Sequence, residues 1–320
     1  MRASSEPMTA APSQVDSNPS VAAVRLGDHQ AKVLGAFLLI YVVWGSNFLA
    51  IRYAIETIPP FLLMGVRSML AGLCLYLWAR LRAAEPPTLA HWRAAAIVGV
   101  MLFLGCHGLL AWAQGRVPSG VAALGMATLP LWMTLLDWLW AGAPRPGVPV
   151  WLGLGLGLLG LSVLVGPGSW GGAVDTTGLL VIQASGFSWA LGSIKARRSH
   201  LPGSVVLSTG MQLIAGGAAL TLVSVLSGEA MRFDAGAVSL RSLMGFTYMV
   251  VGASILAFTA YVWLLRVSTP SRVASYAFVN PLVAVVVGSS VGGEPLNART
   301  GLAAALILAA VAAILSGKRR

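Results

Sequence analysis

The sequence predicts an all-α integral membrane protein of ten transmembrane helices, arranged as two inverted five-helix repeats. Three observations carry that prediction. The chain of 320 residues is 57% hydrophobic and only 10% charged, with a mean hydropathy of +0.80; soluble domains carry about 25% charged residues. Apolar runs of about 20 residues, the length that crosses a bilayer, recur ten times. The chain also repeats itself about 150 residues apart: Ser119-Gly-Val121-Ala122 leads to Pro130-Leu131, and Ser271-Arg-Val273-Ala274 leads to Pro281-Leu282.

Residues 1–30 are rich in Ser, Pro and Ala and lack the apolar core of a signal peptide, so they read as a disordered cytoplasmic tail. The first repeat (31–167) holds spans at 33–54, 60–80, 94–113, 118–140 and 149–166. The second (168–317) holds spans at 177–195, 204–226, 242–265, 270–291 and 299–316, followed by a basic cytoplasmic end at 318–320. The loop between them, 167–176, contains Gly171-Gly172 and neither Lys nor Arg. Trp44 and Trp189, 145 residues apart, lie in the first helix of each half, and Ala71-Gly72 and Ala215-Gly216, 144 apart, in the second. Five spans is an odd number, so the second half enters from the opposite face and the repeat is inverted. Pro130 and Pro281 fall within long apolar stretches, where a proline frees a backbone carbonyl and bends the helix. Matched interrupted helices in two halves point to a transporter with its site at the repeat interface.

The net charge of +11 orients the protein rather than binding nucleic acid. Of the 20 Lys and Arg beyond Arg2, 14 fall on the side of the N-terminus, including Lys195, Arg197 and Arg198. Arg116, Arg232, Arg241 and Arg299 fall opposite, and Arg52 and Arg67 lie within spans. The positive-inside rule then places both termini in the cytoplasm, and a bacterial inner membrane is the expected location. Cys74 and Cys106 lie in spans, which implies neither a disulfide framework nor a metal site. Gly153-x-Gly155-x-Gly157-x-x-Gly160 imitates a nucleotide-binding fingerprint but lies inside an apolar span, without the strand that motif requires. Gly153, Gly157 and Gly160 read instead as a small-residue face matched by Gly301 and Ala305, for packing within one protomer or in a homodimer.

Trp44-Gly45-Ser46-Asn47-Phe48, Arg67 and the two Ser-to-Pro segments resemble the drug/metabolite transporter superfamily, and within it the EamA-domain exporters. Ile51-Arg52, Pro59-Pro60, Gly65-Val66-Arg67, Val117-Pro118-Ser119-Gly120 and Ala274-Ser275-Tyr276 through Asn280-Pro281 resemble the inner-membrane exporters of the YedA type. The resemblance covers about residues 33–316 and implies ten helices, cytoplasmic termini and export of small metabolites or toxic compounds. Members often carry Gly-Glu after the fourth span of each half. Gly293-Glu294 fits, but the first half has Gly142-Ala143, so a symmetric acidic pair is missing.

Ionisable groups at bilayer depth are costly and mark function. Arg67 is a candidate to hold a substrate carboxylate or phosphate through its donor fork, against a structural or snorkelling arginine. His107 and Asp137 are the candidates for proton coupling; the plain alternatives are one interhelical hydrogen bond, and an interfacial carboxylate near Arg145. Trp44, Asn47, Trp189, Tyr276 and Asn280 are candidates to line an aromatic cavity with a few orienting polar groups, with Trp44 and Trp189 across from each other. Gln114, Gln183 and Gln212 are weaker candidates.

These features predict a secondary transporter of a small organic solute, drug-like or amphoteric, without a cofactor and without direct use of ATP; that it exports is what the resemblance implies. Protons are a candidate partner, but the few buried carboxylates leave facilitated export open. An integral membrane enzyme would need clustered aspartates or a nucleophile with its base, and a receptor or scaffold would not need an inverted repeat.

Overall fold

The computed structural model describes residues 19–140, 142, 145–165, 175–267, 276–296 and 298–317, and the regular elements among them are helical. The first half comprises α1 (Pro19–Ala54), α2 (Pro60–Leu81), α3 (Leu89–Gly99), a π-helical segment π1 (Val100–Gly108), α4 (Leu109–Gln114), α5 (Ser119–Met126), α6 (Leu129–Leu139) and α7 (Val148–Val165). The second comprises α8 (Thr176–Arg197), α9 (Val205–Leu226), the short α10 (Glu229–Arg232), α11 (Leu240–Tyr248), a second π segment π2 (Met249–Ala257), α12 (Phe258–Val267), α13 (Tyr276–Ser290) and α14 (Ala298–Gly317).

Among the described residues seven helical stretches are long and apolar enough to cross a membrane, where ten spans were expected. Three shorter apolar helices, Val148–Gly160, Val279–Ser290 and Ala298–Ala310, are present beside them. Each lies on a helix that adjoins residues outside the described set. Ser271-Arg-Val273-Ala274, Ala143, the glycines at 171 and 172, and residues 1–18 and 318–320 also lie outside it. α1 starts at Pro19, so residues 19–30 are helical where an unstructured tail was expected. Ala22, Ala23, Arg25 and Leu26 are good helix formers, and extending a helix already nucleated costs far less than starting one.

The longest helix pairings join corresponding helices of the two halves: α2 lies along α9, and α7 along α14. α1 sits against α11, π2, α12 and α13, while α8 sits against π1, α4, α5 and α6. Each half therefore inserts its first helix into the other. Between α7 and α14, a Cβ at Gly160 would come 2.7 Å from Ile307 Cγ1 and one at Gly157 3.6 Å from Ala310 Cβ, while the tightest approach to Gly157 is Leu131 Cδ1 of α6 at 2.9 Å. The matching stripe on α14 is Ala303, Ile307 and Ala310, all buried; Gly301 and Ala305, the expected partners, are exposed. A turn of about 3.6 residues brings 303, 307 and 310 onto one face and turns 301 and 305 away.

Two helix starts are held from a distance. α2 and α5 begin behind Pro59 and Pro118, which offer no side-chain cap for the first free N–H groups. Glu229 Oε2 accepts from Phe61 N at 3.0 Å and Leu62 N at 3.3 Å. Glu294 accepts from Ser119 N at 2.8 Å and Gly120 N at 3.2 Å. Each carboxylate follows a glycine with positive φ, Gly228 (75°) and Gly293 (65°), which turns the chain back toward the neighbouring helix. In the first half the comparable positive-φ turns, at Ala83 (58°) and Gly142 (73°), are followed by alanines. Glu294→Gln removes the charge and one of the two acceptors at the start of α5. It is expected to cost about 1–2 kcal/mol, read as a lower melting midpoint of the detergent-solubilised protein.

Candidate functional site

A cavity lies where α1, α2, π1, α5, α8, π2 and α13 converge, lined by Trp44, Asn47, Arg67, His107, Trp189 and Tyr276, with Asn280 and Pro281 beside them. Its volume is about 120 Å³. These eight residues come from five separated segments of the sequence, and the fold brings them to one place. Phe48, Phe103, Cys106, Met126, Ser254 and Phe258 also form part of the wall and were not anticipated. Apolar residues at helical spacing carry no mark, in a chain this hydrophobic, of whether they face lipid, core or cavity.

Trp44 is fixed on two sides. Its Nε1 donates to Ala253 O at 3.2 Å, and its ring meets Tyr276 edge-on at 5.3 Å and Tyr261 at 5.0 Å. Two residues on, Ser46 Oγ and Tyr248 Oη share a hydrogen bond of 2.6 Å, which pins the same stretch of α1 to α11. In the first half His107 stacks on Trp189 at 5.3 Å and meets Phe103 edge-on at 5.2 Å. Trp44 and Trp189 thus each anchor one aromatic cluster of the cavity, one on π2 and one on π1.

The polar groups decide the chemistry. Arg67 is 4% exposed. Its Nε donates to Ser254 Oγ at 2.9 Å and its Nη1 contacts Met64 Sδ at 3.2 Å, and no carboxylate pairs with it among the described residues. A buried guanidinium has five N–H donors and no acceptor, so its remaining donors call for an anion or several carbonyls. Asn47 Oδ1, Asn280 Oδ1 and His107 Nδ1 are buried and have no partner among the described residues. The cavity therefore combines one cation, two amide oxygens awaiting donors, and aromatic walls.

The remaining candidates lie elsewhere. Asp137 pairs with Arg197 at 2.5 Å, not with Arg145, whose guanidinium lies 6.0 Å from the Trp138 ring. Both partners of that pair are partly exposed, and neither lines the cavity. Such exposed pairs contribute about 0–1 kcal/mol, so Asp137→Asn is expected to keep the transport rate within about twofold. Pro130 sits in the first turn of α6 rather than inside a continuous helix, because the fourth span breaks between Met126 and Leu129. Thr128 Oγ1 donates to Gln183 Oε1 at 2.8 Å across that break, and Gln183 Nε2 donates to Gly125 O at 3.1 Å. Pro281, by contrast, lies inside α13. Gln183 is thus a brace, Gln212 donates to Ser208 Oγ at 2.9 Å, and Gln114 is buried outside the cavity lining. Cys74 and Cys106 are both free thiols. Among the described residues no group of three or more His, Cys, Asp or Glu is placed to hold a metal ion.

The sequence pattern of the EamA-like transporter family matches the chain twice, over residues 32–166 and 176–316. The chain belongs to this family. It is 34% identical over 290 residues to the uncharacterized inner membrane transporter YedA of Escherichia coli strain K12, across 89% of this chain and 91% of YedA. A probable amino-acid metabolite efflux pump of Salmonella typhimurium is 26% identical, over 85% of this chain and 91% of its own length. Protein PecM of Dickeya dadantii is 27% identical, over 77% and 80% respectively. One crystal structure matches with a TM-score of 0.62 at 19% identity, covering 91% of this chain and 98% of its own, a likeness of fold. The chain is thus a membrane protein of a transporter family, and its relatives are named as transporters and efflux pumps.

Proposed function

We propose that the chain is a secondary transporter exporting a small amphoteric organic solute, amino-acid-like with an apolar side chain, across a bacterial inner membrane. The observation that carries this reading is Arg67, buried in an aromatic cavity without a carboxylate partner among the described residues. A solute carboxylate completes the guanidinium through two charge-assisted hydrogen bonds. Its ammonium group donates to Asn47 Oδ1 and Asn280 Oδ1, which otherwise stay unsatisfied. Trp44, Phe103, Phe258 and Tyr276 receive the apolar part.

Alternating access follows from two five-helix halves, 31–167 and 168–317, that rock about this cavity as inverted repeats with both termini in the cytoplasm. The exchange of α1 and α8 between the halves supports that arrangement, as does the pairing of α2 with α9 and α7 with α14. Glu229 and Glu294 clasp α2 and α5 at the face where α1 ends, the outer face in this orientation. The relatives' names support a transporter over an enzyme or a scaffold, and those named efflux pumps support export.

The test is uptake of radiolabelled phenylalanine into everted membrane vesicles carrying the protein, with and without an imposed proton gradient. Accumulation that collapses with the gradient is the result for proton-coupled export and directs replacement to His107. Equilibration indifferent to the gradient is the result for facilitated export. No movement of phenylalanine or of any other amphoteric solute in a panel overturns the reading.

A further inference from the structure

The third membrane helix of each half contains a nine-residue π-helical segment, π1 and π2, beginning at Val100 and Met249. π turns are rare and concentrate at functional sites. Both segments border the cavity, through Phe103, Cys106 and His107 on one side and Ala253 and Ser254 on the other. Their starts are 149 residues apart, which sets Gly105 of π1 in register with Ser254 of π2.

Ser254 is 2% exposed and makes two hydrogen bonds. Its hydroxyl donates to Met249 O at 3.0 Å, five residues back, and accepts from Arg67 Nε at 2.9 Å. In an α-helix a serine hydroxyl returns to a carbonyl three or four residues back; the five-residue reach belongs to the π turn. A hydroxyl has one proton. Committed to Met249 O, that proton leaves Oγ as an acceptor, and the acceptor takes the Nε edge of Arg67. With Nη1 also against Met64 Sδ at 3.2 Å, the guanidinium plane is held from behind, and its other Nη donors stay free of protein partners among the described residues.

The first half has no such seat. A Cβ at Gly105 would come 2.1 Å from Ser188 Oγ, because that hydroxyl, arriving from α8, takes the space and donates to Met101 O at 2.8 Å. The register that seats an arginine in one half is filled by a neighbouring helix in the other.

We infer that Ser254 is a positioning residue for solute recognition: held by the π turn, it aims the Arg67 guanidinium at the anionic end of the transported solute. The inference rests on the reading of Arg67 as the solute's anion anchor. Its test compares uptake of phenylalanine and of phenylalaninamide, which lacks the carboxylate, by wild-type protein, Ser254→Ala, Ser254→Thr and Arg67→Gln in everted vesicles. Ser254→Ala is expected to raise KM for phenylalanine about tenfold while its maximal rate and the KM for the amide stay within about twofold. Ser254→Thr, which keeps the hydroxyl, is expected to restore the acid's KM.

A purely structural serine would change both solutes alike, and that result, or no change at all, overturns the inference. Arg67→Gln separates the two levels. If it abolishes the preference for acid over amide while Ser254→Ala does not weaken it, the anchor stands and the positioning role falls. If wild-type protein shows no preference for the acid, or moves neither solute, both fall together.

Discussion

Replacing Arg67 by Gln is expected to lower kcat/KM for a carboxylate-bearing solute by about a hundredfold while the protein still folds. The side chain is 4% exposed and its neighbours are Ser254 Oγ and Met64 Sδ, neither of which carries charge. Removing the cation therefore strands no buried carboxylate among the described residues, which is the usual reason such a change unfolds a protein. What disappears is the pair of charge-assisted bonds to the solute, each about 1.5–3 kcal/mol. Arg67→Lys is expected to recover little of the loss. An ammonium is a point charge without the planar fork, and it has no Nε to occupy Ser254. The measurement is initial uptake rate against solute concentration in everted vesicles, with protein amounts matched by detergent extraction and melting midpoint. Unchanged kinetics in Arg67→Gln would remove the central support for an anionic or amphoteric substrate.

The largest structural effect is expected at Gly210. α2 and α9 touch backbone to backbone: a Cβ at Gly210 would lie 2.7 Å from Tyr76 N and 2.9 Å from Gly72 O, and one at Gly72 2.8 Å from Ile214 N. Backbone atoms in two packed helices have no rotamer to change, so the helices must part. Gly210→Ala is expected to cost about 3 kcal/mol, although alanine is the better helix former. The control is Gly35→Ala in α1, where a Cβ meets nothing within 4 Å and the change is expected to be neutral. Melting midpoints of the two detergent-solubilised variants decide the matter. The functional consequence travels along α2, which carries Arg67 between the tight contacts at Gly65 and Gly72. A shift of that helix withdraws the guanidinium from Ser254. Equal midpoints for the two variants would mean that the close approach of α2 and α9 is not needed for the fold.

Much of the cavity was legible in the sequence because polar and aromatic residues stand out against a nearly uniform apolar background. Arg67, His107, Asn47 and Asn280 were visible on that ground alone, and all four line the cavity. Asp137 stood out for the same reason yet lies at an exposed ion pair with Arg197. Depth along a span is readable from residue counting, but the direction a side chain faces is not, because these helices are apolar all round. Ser254 went unnoticed because serine is common in membrane helices, and its significance comes from a partner 187 residues away. Glu229 left a fainter signal: Gly228-Glu229 repeats the dipeptide Gly293-Glu294, and both hold a helix start. The recurrence sits after the second and the fourth helix of the second half, not after the fourth helix of each half, where the acidic pair was sought.

The sequence by itself determined that this chain lives in a membrane, that its elements are helical, and that it belongs to a transporter family. Hydrophobicity over about 20 residues leaves a chain no other stable environment, and inside a bilayer the helix alone satisfies every backbone group within one segment. The tertiary structure decided which glycines let helices touch, which carboxylates close helix starts, and which hydroxyl seats the buried arginine. Those outcomes depend on pairs such as Gly72 with Gly210, Glu294 with Ser119, and Ser254 with Arg67, each joining residues more than a hundred positions apart. Local periodicity cannot encode such pairs, because they form only when two separate helices arrive at the same depth with the right faces inward.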